Sequence, residues 1–362
     1  MTSIRVDDIL NDGTTSVILC CGTGGVGKTT TSAAIAVRAA ELGKRVCLIT
    51  IDPAARLGQA MGLQGLTNTP HVVEGISSNG TLDAMMLDAK STFDDLVTRT
   101  TNPESAARIL NNSFYRNISD SLSGTQEYMA MEKLTQLLAD NEGRWDLMVV
   151  DTPPSRSALD FLDAPARLER FMNSRLLRIL TFSGGGLAKI VNLGLSAFTS
   201  VIGKILGATV LDDLRDFVSA IDSILASFTQ RTTETYEMLA QPTTAFVVVT
   251  TAEPQPILEA TYFIERLRKD GMRLAALVVN RVAPAHHQIS GVEMGQLSST
   301  SQYLLATYQK QSRIRAVQDS LISQNSAISE IPRITVSDMG AAINDLSGLS
   351  RLSHAMNETR HG

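Results

Sequence analysis

Several of the short runs in this chain are apolar at consecutive rather than alternate positions, and this habit restricts the fold more than any other feature. The strand candidates are TSVILCC (15–21), RVCLITI (45–51), DAMML (83–87), DLMVV (146–150), TAFVVVT (244–250), LAALVVN (274–280) and IPRITV (331–336). A strand with apolar side chains on both faces must be covered on both faces, which is the situation of a mostly parallel sheet flanked by helices. Helix-length patterns at Thr30–Leu42, Gln126–Ala139 and Pro256–Lys269 supply the crossovers. The expectation is therefore an α/β fold spanning 1–362 as one domain. Two stretches, about 90–140 and 160–242, contain no good strand and read as helices, with Gly184–Gly186 and Gly207 as joints. They predict a helical subdomain inserted in the connections of the sheet. The last residues, SHAMNETRHG, read as a frayed tail.

One junction carries chemistry. Gly22-Thr23-Gly24-Gly25-Val26-Gly27-Lys28-Thr29 fits GxxxxGK[ST], follows a predicted strand and opens an alanine-rich helix. Glycines let main-chain N–H groups turn inward without a Cβ clash and cradle an anion at a helix N-terminus. The segment from Gly24 and Gly25 through Val26 and Gly27 to Thr30 is thus a candidate nucleotide-binding P-loop, in the strand–loop–helix context of a P-loop NTPase. Lys28 can reach the β and γ phosphates, and the Thr29 hydroxyl can ligate Mg²⁺. Asp52 and Asp151 each close a predicted strand, so both carboxylates lie on the ligand side of such a sheet. One can hold Mg²⁺ through water and the other can orient an attacking water, or either can cap a turn.

These residues, with Asp52-Pro53-Ala54, Asp151-Thr152-Pro153-Pro154 and Val279-Asn280 in that order, resemble the anion-pump ATPase family. That family includes arsenite-pump ATPases and ATPases that guide tail-anchored membrane proteins. WDLMVVDTPPSRSALDFLDAP resembles its second nucleotide switch, and Gly124-Thr125-Gln126-Glu127 its helical-region element. The resemblance implies ATP with Mg²⁺ as ligands, a dimer of facing loops, Lys28, Thr29 and Asp151 at phosphate and metal, Asp52 activating water, and Asn280 reading adenine. An amide offers both a donor and an acceptor to an adenine edge, although a strand-end Asn also caps loops.

The departures shape the expectation. Family members carry a lysine directly after the first loop glycine, and here that position is Thr23. A threonine hydroxyl is uncharged and too short to cross an interface, so a homodimer would lack that stabilisation of the transition state. The chain resembles the lysine-lacking member of a bacterial pair of such ATPases, which implies a homodimer or a heterodimer with a lysine-bearing paralogue. Ala55, Gly58 and Gln59 also depart from the first switch. Arg56 and Arg156 lie near the switches, where a solvated or acid-paired arginine competes with a phosphate contact.

Composition narrows the classes. The chain is 43% hydrophobic and 19% charged, which excludes wholesale disorder. A net charge of −5 without a basic tract argues against nucleic acid. Cys20, Cys21 and Cys47 fall in predicted strands, form no CxxC and predict neither disulfides nor zinc. His286-His287 reads as a solvated turn. The N-terminus is acidic, and Ile190–Gly203 is shorter than the about 20 residues a bilayer span requires, so a cytoplasmic protein is expected, at a membrane only transiently. Leu187–Leu211 is apolar around much of its circumference; it is a buried helix, a dimer interface or a shelter for a hydrophobic client segment. Two functions stand: an ATPase coupling hydrolysis to movement of the helical subdomain, and a nucleotide-binding regulatory or scaffold subunit that hydrolyses little. A partition-type ATPase is disfavoured, because 339–356 has too few basic residues for a membrane-binding helix.

Overall fold

The computed structural model describes residues 3–51, 58, 61, 66–76, 78–112, 125–152, 234–284, 298–340 and 342–358, without the side chains of 125–128. Asp52, Arg56, Gly124, Arg156, the 187–211 segment and His286-His287 lie outside these described residues. The chain divides into two compact units, one of Met1–Leu87, Asn141–Leu159 and Leu239–Gly362, the other of Asp88–Asp140 and Asp160–Met238.

The first unit is built on an eight-stranded sheet of β1 (Val17–Gly22), β2 (Arg45–Thr50), β3 (His71–Val72), β4 (Thr81–Met86), β5 (Leu147–Asp151), β6 (Thr244–Thr251), β7 (Leu274–Val282) and β8 (Arg333–Ser337). Their order is β3-β4-β2-β5-β1-β6-β7-β8. All pairings are parallel except β3 with β4. The consecutive-apolar runs are buried as expected: every residue of β1, β5 and β6 is inaccessible. Because parallel strands share a direction, the carboxyl ends of β1, β2, β5, β6 and β7 lie along one rim. β3 was not legible from sequence; its two exposed residues are too few to show a period, and it pairs only at the sheet edge.

Alternating residues feed two cores. Ile18, Cys20, Val46, Leu48, Val149 and Val247 pack with α2 (Lys28–Glu41) on one face. On the opposite face Phe246 meets Phe263 of a long crossover helix, Pro254–Lys269, with ring centroids 6.5 Å apart. Near the start of the chain α1 (Val6–Leu10) joins the α2 side, where Asp7 accepts from Arg38 at 2.7 and 2.8 Å.

The frayed tail is corrected by the structure as far as residue 358. Leu346–Ala355 is a helix packed on α2, with Leu349, Leu352 and Met356 buried and Ser353 inaccessible. Asn357 then exchanges hydrogen bonds with Asp7, receiving its main-chain N–H at 3.0 Å and donating to its carboxylate at 2.9 Å. The 3-and-4 spacing of Leu349, Leu352 and Met356 makes one apolar stripe, and that stripe is spent on the core rather than offered to a membrane.

The second unit contains α3 (Ala89–Thr100), α4 (Pro103–Asn111) and α5 (Thr125–Ala139). Asp88 caps α3 through Ser91 N–H and Asn102 caps α4 through Ser105 N–H, with Pro103 at the first helical position. Leu96, Val97, Ile109, Met131 and Leu134 are buried there. In the first unit the crossover helix Pro254–Lys269 is α6, and α7 (Ser299–Gln324) and α8 (Ser326–Ser329) precede α9 (Leu346–Ala355). Within α7 only Leu305 and Ile322 are buried, so it carries almost no periodic signal. It is held to the chain leaving β7 by Arg315 donating to the Ala283 carbonyl at 3.2 Å and Gln318 accepting from Ala283 N–H at 2.8 Å.

Candidate nucleotide site

Between β1 and α2 the chain makes a turn that ordinary residues could not follow. Gly22 lies beside Val249 in β6, and a Cβ built on it would sit 2.1 Å from the Val249 carbonyl oxygen. Gly25 (φ +81°) and Gly27 (φ +98°) adopt left-handed conformations that favour glycine. Gly27 is also the N-cap of α2, and it has no side chain with which to cap the helix itself.

Lys28 opens α2 yet is only 7% exposed, because its side chain folds back through the loop. Its Nζ donates to the Thr23 carbonyl at 2.8 Å. Thr23 itself is 7% exposed, and Val26 is buried. Thr29 and Thr30 follow in the first turn, half-buried. The buried Ser32 hydroxyl donates to the Lys28 and Thr29 carbonyls, both at 3.0 Å, which steadies that turn.

Two neighbouring strands bring further side chains. Asp151 ends β5, paired with Cys20 of β1, and is fully buried. Its Oδ2 accepts from the Thr50 hydroxyl at 3.1 Å, so β2 orients a carboxylate carried by β5. The next residue, Thr152, donates twice to the Cys20 carbonyl, from its N–H at 3.2 Å and its hydroxyl at 2.9 Å, which locks β5 to β1 below the loop. Beyond β6, Asn280 of β7 is 9% exposed and donates from Nδ2 to the Val26 carbonyl at 2.9 Å.

The expected residues Gly24 to Thr30, Asp151 and Asn280 therefore share the carboxyl-end rim around β1. Asp52 is outside the described residues; its predecessor Ile51 donates to the Asp151 carbonyl at 3.1 Å, which places the chain entering it beside β5. Sequence reasoning passed over Thr50. Its only signal was a hydroxyl at the end of an otherwise apolar run.

The cysteines offer no site. Burial raises the Cys20 thiol well above its usual range, with the Asp151 carboxylate adding to it, and pushes Cys21 up to about 12. Burial, then the Asp83 carboxylate, likewise puts Cys47 at about 12. Thiols held protonated at neutral pH are poor nucleophiles and ligands. Among the described residues no group of three or more His, Cys, Asp or Glu could hold a metal ion, and no helix is long and apolar enough to cross a membrane.

The arrangement suits a triphosphate: main-chain donors turned by glycines, one buried ammonium, two hydroxyls on the first turn and a carboxylate on the next strand. Comparison with known proteins agrees. The chain is 29% identical over 290 residues to the "ATPase GET3" of Malassezia globosa, covering 78% of this chain and 79% of that protein. It is 27% identical over 292 residues to an "ATPase ASNA1 homolog" of Babesia bovis, with 79% and 72% covered. Over 163 residues, 44% of this chain, it is 35% identical to an "Arsenical pump-driving ATPase" of Escherichia coli, of which that match covers 27%. Residues 15–325 match the family described as anion-transporting ATPase, and the chain thus belongs to that family of ATP-hydrolysing enzymes.

Proposed function

We propose that this ATPase binds ATP with Mg²⁺ in the Gly22–Thr30 loop and hydrolyses it by in-line attack of water on the γ-phosphate. The observation that carries the reading is the Lys28 ammonium, buried within the glycine turn and 2.8 Å from the Thr23 carbonyl. An ammonium has three donors, enough in number to serve the loop carbonyl together with β and γ oxygens. In this reading Lys28 neutralises charge that grows on the phosphates, and main-chain N–H groups from Gly24 to Thr30 hold them. Thr29 and Asp151 would hold the metal, which when bound neutralises charge between the β and γ oxygens. Asp52 orients the attacking water, and Asn280 faces the base.

The site is proposed to work as one subunit of a dimer, with the second unit, Asp88–Asp140 and Asp160–Met238, as the helical subdomain that moves with the nucleotide. The name of one relative points to an arsenical pump as the process served, and the family resemblance to a hydrophobic client segment as the alternative. Thr23 supports a second reading. Where a lysine would reach out, this residue is uncharged and 7% exposed in its own chain, which favours a regulatory subunit that binds nucleotide but turns it over slowly.

Single-turnover hydrolysis by wild type and Asp52→Asn, beside calorimetric titration of ATP and Mg²⁺, separates these. Hydrolysis by wild type that Asp52→Asn abolishes, with binding retained, supports the enzyme. Binding without hydrolysis by either supports the regulatory subunit. No heat of binding would remove both.

A further inference from the structure

Asn280 is the last of five consecutive buried residues in β7, and its side chain is committed twice within its own chain. Nδ2 donates to the Val26 carbonyl at 2.9 Å, and Oδ1 accepts the Arg281 N–H at 2.9 Å. The strand is irregular just beyond it: Arg281 takes φ +54° where the pairing of β7 with β8 shifts register. The contact with the loop is also steric: a Cβ on Gly27 would lie 2.3 Å from Asn280 Nδ2, so the amide fills the space that a side chain at 27 would occupy. A hydrogen bond to one loop residue and close packing on the next make this a clamp between β7 and the loop.

The clamp acts on a particular peptide plane. The Val26 carbonyl and the Gly27 N–H belong to one trans peptide unit and point in opposite directions. Holding the carbonyl toward β7 therefore aims the Gly27 N–H the other way. We propose that Asn280 is a positioning residue for the phosphate loop: by gripping Val26 it presets the Gly27 N–H as a donor to a polyphosphate, whatever base that polyphosphate carries. This rests on the reading of the loop as a phosphate site, and goes beyond base recognition. A primary amide has two N–H donors and two acceptor lone pairs. Among the described residues one of each is engaged, by Val26 and Arg281, so a base edge would meet the other donor and lone pair.

A ligand without a base tests the clamp. Inorganic tripolyphosphate, GTP and ATP, each with Mg²⁺, are titrated calorimetrically into the full chain as wild type, Asn280→Ala and Asn280→Leu. A net hydrogen bond contributes about 1 kcal/mol, so tripolyphosphate affinity is expected to fall roughly five- to tenfold in the alanine variant. GTP and ATP fall at least as far, and any extra loss for ATP alone reports the base contact. Asn280→Leu keeps the bulk of the side chain and adds no charge but loses the donor to Val26, so it too weakens tripolyphosphate and carries the test if the alanine variant fails to fold. Unchanged tripolyphosphate affinity in a folded variant, with ATP weakened, overturns the clamp and leaves a base reader. A wild type that binds none of the three overturns the phosphate-loop reading, and the clamp with it.

Discussion

The side-chain ammonium of Lys28 donates a 2.8 Å hydrogen bond to the main-chain carbonyl of Thr23, across the loop that both residues belong to. One buried cation is thereby fixed in direction by the backbone of its own loop. Removing it as Lys28→Ala should leave a folded sheet but lower single-turnover hydrolysis on the order of 10²- to 10³-fold, the usual scale for losing a preorganised donor. Near-UV circular dichroism checks the fold, and quenched-flow phosphate release checks the rate. A rate within a few-fold of wild type would remove Lys28 from the chemistry.

Thr23 gives the opposite experiment. If the missing cation is what slows an isolated chain, Thr23→Lys should raise its steady-state turnover by at least tenfold, the new side chain extending its ammonium outward along an apolar stem. Brisk turnover by wild type that the substitution leaves unchanged would show that no such cation is needed.

Gly22 and Gly25 separate two costs that glycines hide. At Gly22 an added methyl would meet the Val249 carbonyl oxygen at 2.1 Å, and backbone cannot step aside cheaply. At Gly25 nothing lies within 4 Å, and only the left-handed conformation (φ +81°) is at stake. Gly25→Ala should cost about 1 kcal/mol of unfolding free energy, and Gly22→Ala about 1–3 kcal/mol more from the clash. Urea midpoints of the two variants measure the difference; equal values would mean that β1 and β6 have slack at their ends.

Acid should release a tie at the other end of the sheet. Asp146 accepts from the Arg45 guanidinium and main-chain N–H, joining β5 to β2, and these bonds hold its carboxyl at about 2 instead of 3.8. A depressed carboxyl stabilises the fold above its unfolded value and loses that effect as pH falls through its folded value. The pair is well exposed, so its worth is about 0.5 kcal/mol. Asp146→Asn should therefore be less stable than wild type at pH 6, and the gap should close between about pH 4 and 2. A gap that persists at pH 2 would assign the loss to something other than charge.

Much of the sheet was legible because burial on both faces leaves a local mark: in six of the seven candidates, four to six consecutive apolar residues need no partner to be recognised. The seven strand candidates all correspond to strands, and β5 and β7 extend to take in Asp151 and Arg281-Val282. What escaped was the structure without that mark. β3 is too short to have a period, α7 is polar on nearly every side, and the polar-looking chain around Ser353 hid a three-residue apolar stripe. In the last case the burial of Leu349, Leu352 and Met356 is created by α2, a neighbour far away in sequence.

The sequence alone determined the loop: four glycines, with Lys28 and Thr29, between an apolar strand and an alanine-rich helix dictate a turn whose geometry is local, set by which residues can take positive φ and by where a helix begins. Only the tertiary structure decided what surrounds it. Thr50, Asp151, Val249 and Asn280 come from four different strands, and the order β2-β5-β1-β6-β7 brings them to one rim. Strand order is chosen by long-range pairing and by the cores on the two faces, quantities that no window of sequence contains.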